Sequence, residues 1–120
     1  MRRTVACLAV LLSSLPALTA CGGSDAPDEA DTEPKVIEVT IEGESVTPNG
    51  ERVEIAVGQQ VDLEVTADVP GEIHVHSSPE QALEYDAGSS TVTIEPIDTP
   101  GTVDVELHDP AKIVLQLEVR

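Results

Sequence analysis

From residue 36 onward, apolar and polar positions alternate with a period of two: Ile37, Val39 and Ile41 are interleaved with Glu38, Thr40 and Glu42. The same alternation returns at Val53/Ile55/Val57, Val61/Leu63/Val65, Ile73/Val75, Val92/Ile94, Val103/Val105/Leu107 and Ile113/Leu115/Leu117/Val119. Successive side chains of a strand leave opposite faces, so each run predicts a strand with one buried and one solvated face. Turn chemistry separates the runs, with Pro48-Asn49-Gly50, Gly58-Gln59, Pro70-Gly71, Ala87-Gly88 and Pro100-Gly101 supplying fixed or left-handed backbone where the chain must reverse. Short strands at this spacing predict an all-β Greek-key sandwich of about seven to eight strands. One segment fits two readings. Ser78-Pro79-Glu80-Gln81 has capping-box spacing with proline at a first helical position, which predicts one helical turn over residues 79–84. The same residues also suit an irregular edge strand. The core has to be aliphatic, because Tyr85 is the single aromatic residue. A fully buried Val or Leu contributes about 1.5–3 kcal/mol, enough for such a core to hold.

The first 34 residues follow a different pattern. Arg2 and Arg3 precede an apolar run over residues 5–12 that is too short to cross a bilayer, as in a secretory signal that is removed. Leu18-Thr19-Ala20-Cys21 resembles the lipobox of diacylated bacterial lipoproteins. That resemblance implies cleavage before Cys21 and acyl chains at its thiol, which anchor the protein to the extracytoplasmic face of a membrane. Each buried methylene of such a chain contributes about 0.8 kcal/mol. Residues 1–20 are therefore expected to be a lipoprotein signal peptide. Residues 21–34, small, acidic and proline-bearing, are expected to be the lipidated cysteine and a disordered, self-repelling tether. Residues 35–120 form the one folded domain.

Charge and cysteine content narrow the chemistry. All 23 acidic residues follow residue 20, against Lys35, Arg52, Lys112 and Arg120. So acidic a surface repels phosphates and attracts cations and basic partners, and nucleic acid is not an expected partner. Both cysteines, Cys7 and Cys21, precede the domain, which leaves it without a disulfide, a thiolate ligand or a nucleophilic thiol.

The order of the pieces resembles a cupredoxin over residues 35–120. The residues that carry the likeness are Val57-Gly58-Gln59-Gln60-Val61-Asp62-Leu63, a strand bearing His74, the Ala87-Gly88 turn, and Pro100-Gly101-Thr102-Val103-Asp104-Val105-Glu106-Leu107-His108 ahead of a last strand over 112–119. More narrowly, Glu72-Ile73-His74-Val75-His76 with the segment ending in His108 looks like a subset of bacterial cupredoxin-like domains found in secreted or lipid-anchored proteins. In that family a histidine on the middle strand and a Cys-containing terminal loop bind copper. Here the departures decide the matter. A blue-copper site needs two His and a Cys thiolate, usually with a weak axial Met, and residues 35–120 contain neither Cys nor Met. Leu107 or His108 falls near the position of the ligand cysteine, and no histidine follows. The resemblance implies the fold without type 1 electron transfer.

Three histidines remain, His74, His76 and His108. His74 and His76 lie two apart on a predicted strand, so their imidazoles leave the same face. A neighbouring strand bearing His108 would complete a three-nitrogen set suited to Cu(II) or Zn(II), with Glu72, Glu106 or Asp109 as additional ligands. The plainer reading is that these histidines simply point to solvent among carboxylates, or act as a pH-dependent contact. Catalysis is not expected. His74-Val75-His76 resembles the copper-binding tripeptide of Cu/Zn superoxide dismutases and the zinc-binding pattern of carbonic anhydrases, but the further ligands, the disulfide and the chain length are missing. No nucleophile elbow or phosphate loop is present. Two functions stay open. One is a lipid-anchored module that binds copper or another divalent metal and passes it to a metal-handling or envelope protein. The other is a metal-free interaction domain whose acidic surface contacts a basic or envelope partner.

Overall fold

The computed structural model describes residues 33–120. The expected signal peptide, Cys21 and most of the tether lie outside the described residues. The domain has nine strands: β1 (Lys35–Glu42), β2 (Ser45–Thr47), β3 (Glu51–Ile55), β4 (Val61–Ala67), β5 (Gly71–Val75), β6 (Gln81–Tyr85), β7 (Gly88–Ile94), β8 (Gly101–His108) and β9 (Ala111–Val119). They form two sheets, one of four strands in the order β2-β1-β4-β7 and one of five in the order β3-β9-β8-β5-β6. The chain changes sheet between β2 and β3, β3 and β4, β4 and β5, β6 and β7, and β7 and β8. Each sheet also contains one parallel pair, β1 with β4 and β3 with β9. The result is the all-β sandwich expected from the alternating pattern.

The inward residues of both sheets make one aliphatic core. Val61, Leu63, Ile73, Val75, Ile94, Val105, Leu115 and Leu117 are fully buried, each at an apolar position of its run. The count exceeds the expected seven to eight strands at two places. β2 is three residues long with only Val46 buried, too short to show a period. β6 resolves the ambiguous segment in favour of a strand. It pairs in register with β5, Ile73 opposite Leu83 and Gly71 opposite Tyr85, and is the edge of its sheet. The helical turn over residues 79–84 does not form, because Gln81 is engaged elsewhere. Its side chain donates to Ser77 Oγ (3.2 Å) and to the Glu95 carbonyl (3.2 Å) and accepts from the Glu95 N–H (2.8 Å). This amide latches β6 to the end of β7 across the open side of the sandwich.

Tyr85 is buried and its ring covers Gly71 on the adjacent strand. A Cβ at position 71 would lie 2.7 Å from Tyr85 Cζ, so this pair requires glycine for space. Burial also pushes the Tyr85 hydroxyl pKa up, reinforced by the charges of Asp109 and Asp68.

Candidate metal centre

The site lies on the outer face of the five-stranded sheet, across β5 and β8. Ile73 pairs with Leu107, His74 with Glu106, and Val75 with Val105. Because Ile73, Val75, Val105 and Leu107 fill the core, the residues between them must point outward. His74 and Glu106 therefore share the outer face, with Glu72 and His108 one step further along the same register. His76 extends the ladder beyond β5, its N–H donating to the Asp104 carbonyl at 2.9 Å. Histidines and carboxylates thus confront each other across the strand pair.

Glu106 Oε1 is the hub, 2.7 Å from His76 Nε2 and 3.4 Å from His108 Nε2. On the other side of the His76 ring, Nδ1 lies 3.1 Å from Glu80 Oε1. His74 Nε2 is hydrogen-bonded with Glu72, and its ring stacks on that of His108 with centroids 4.2 Å apart and planes 17° apart. Hydrogen bonding to Glu106 and then to Glu80 raises the His76 pKa above the ordinary histidine value. The bond from His76 holds the Glu106 carboxyl below the usual carboxylate range.

Of the residues singled out in the sequence, His76, Glu106 and His108 come together, with one donor atom from each lying within 4.8 Å of the others. Bonds of about 2.0–2.2 Å to a central ion require somewhat closer donors, which small side-chain rotations on an exposed face can supply. His74 stands beside this group through its stacked ring, but its Nε2 is turned to Glu72. Glu72 is tied to His74 and lies outside the donor group. Asp109 begins the turn between β8 and β9 and is also outside it. Glu80 was missed by sequence reasoning. It reaches His76 because the loop after β5 folds back on itself, Ser77 Oγ donating to the Pro79 carbonyl at 2.6 Å. The only signal was a carboxylate four residues after a histidine, across a Ser-Ser-Pro turn.

The donor set tests what the site can hold. A type 1 copper centre does not fit, since it needs a Cys thiolate and the described residues contain no sulfur donor. Two imidazoles and a carboxylate do fit a non-blue Cu(II) or Zn(II).

No family model and no curated protein matches this chain. Solved structures that resemble it include a mutant of amicyanin in its Cu(I) form, at 18% identity and a TM-score of 0.49 over 71% of this chain and 82% of that one. A chain of a heme-copper terminal oxidase dimer resembles it at 20% identity and a TM-score of 0.49, over 72% of this chain and 65% of that one. A reduced amicyanin mutant gives 18% identity and a TM-score of 0.47, over 78% and 87%.

Proposed function

We propose that this chain is a lipid-anchored, extracytoplasmic domain that binds one divalent transition-metal ion, Cu(II) or Zn(II), through His76, Glu106 and His108. The supporting observation is the convergence of three donors, one just past the end of β5 and two on β8, within 4.8 Å of one another. His74, stacked on His108, buttresses that ring. The role is binding and transfer rather than catalysis. The donors stand on an open sheet face, His108 especially exposed, so a bound ion keeps free positions toward solvent. A partner's ligand can enter there, and a metal-handling or envelope protein is the expected recipient. Cys21 supplies the anchor that keeps donor and recipient at the same membrane.

The second reading is a metal-free acidic interaction domain. The observation in its favour is that His76 is already satisfied by two carboxylates. Cu(II) titration of the soluble chain from residue 22 onward, followed by electron paramagnetic resonance, separates the two. The metal reading expects one tight site with nitrogen hyperfine structure. His76→Ala and His108→Ala should each weaken it strongly, and His74→Ala less. Weak binding that ignores both of the first two substitutions supports the interaction domain.

A further inference from the structure

We infer that Glu80 is the positioning residue of this centre: it holds the His76 imidazole by Nδ1, so that Nε2 is the nitrogen offered to a metal ion. The inference deepens the metal-binding reading and rests on it.

An imidazole can ligate through either nitrogen, and which one is used is set by the hydrogen bond that the other makes. In His76 the two nitrogens meet different carboxylates, Nε2 with Glu106 at 2.7 Å and Nδ1 with Glu80 at 3.1 Å. The two carboxylates are not equivalent. Glu106 also faces His108 and belongs to the converging donors. Glu80 lies on the far side of the ring, and its side-chain carboxylate pairs only with His76 among the described residues. Among these residues, His76 is the one histidine with a carboxylate at each nitrogen.

Glu80 is also held in place. Ser77 Oγ closes the loop onto the Pro79 carbonyl. The next residue, Gln81, is fastened to Ser77 and to both backbone groups of Glu95. The carboxylate is therefore presented from a braced turn. With Nε2 given to an ion, the neutral ring would carry its one proton on Nδ1 and donate it to Glu80. An exposed ion pair with no other role contributes little, and its loss would leave metal affinity alone.

The test uses the full chain in detergent micelles, as wild type, Glu80→Ala and Glu80→Gln. Zn(II) and Cu(II) affinities are read by competition with a chromophoric chelator, and the Zn(II)-loaded protein is examined by proton–nitrogen correlation. Glu80→Ala should weaken binding about 10–100-fold, the usual effect of removing such an orienting partner. Glu80→Gln retains an acceptor oxygen and should fall between wild type and Glu80→Ala. The loaded wild type should show a slowly exchanging proton on His76 Nδ1 that Glu80→Ala loses. Unchanged affinity in Glu80→Ala, or ligation through Nδ1, overturns the inference while leaving the metal reading intact. A wild type that takes up neither ion overturns both.

Discussion

His76 sits between two carboxylates on an exposed face, and the sign of its pH dependence follows from that position. Its folded-state pKa is raised by Glu106 and Glu80, so its contribution to stability is fully present below the unfolded value of about 6.5. That contribution is lost as pH rises through the higher folded value. The Glu106 pKa is lowered by the same bond. Its contribution is present above the ordinary carboxylate range and is lost as pH falls through the lower folded value. The pair therefore stabilises most in mildly acidic solution. Solvent exposure keeps the effect small. A nuclear magnetic resonance titration should place the His76 pKa above those of model histidines, and Glu106→Gln should bring it down. Metal affinity at the proposed site should run the opposite way, weakening as pH falls through the raised value because the proton competes for Nε2. The outward grouping of the histidines with carboxylates was legible from the alternation of residues 72–76 and 103–108. The exclusion of Asp109, the turning away of His74 and the arrival of Glu80 were not. Those depend on rotamers and on how one loop closes, which period-two patterning does not encode.

At the level of elements, the long alternating runs identify their strands because each needs one solvated and one buried face. β2 and β6 escape that logic, the first by brevity and the second because its neighbours look like a helix start. What makes residues 81–85 a strand is tertiary, namely the pairing with β5 and the Gln81 latch to Glu95. The parallel pairs and the order within each sheet likewise come from packing, which local pattern does not encode; of the neighbour relations, the expectation covered the strands bearing His74 and His108, and β5 does pair with β8. The Gly71–Tyr85 pair gives a direct test of how tightly β5 and β6 are joined. Gly71→Ala would drive a methyl into the phenol ring and should cost about 1–3 kcal/mol, the range for overpacking a filled site. Urea unfolding measures this. Shortening Tyr85 in the same chain should recover part of the loss from the clash, so the double-mutant cycle should show strong coupling.

Over the whole molecule, composition decides which oxidation state of copper the proposed site would retain. Every sulfur of the chain, in Met1, Cys7 and Cys21, precedes the described domain. Nitrogen and oxygen donors suit Cu(II), whereas Cu(I) prefers thiolate and thioether. Copper bound as Cu(II) should therefore pass readily to a Cu(I) chelator when a one-electron reductant such as ascorbate is added, and stay bound to the protein without it. Equal retention in both conditions would contradict the proposed donor set. The proposed ligands stand outside a closed aliphatic sandwich whose core contains none of them. Folding and loading are thus separate events. On the proposed reading the chain should reach its native state without an ion, and an ion should arrive or leave without any strand parting, so exchange should proceed at the pace of encounters at the surface rather than that of breathing motions in the interior.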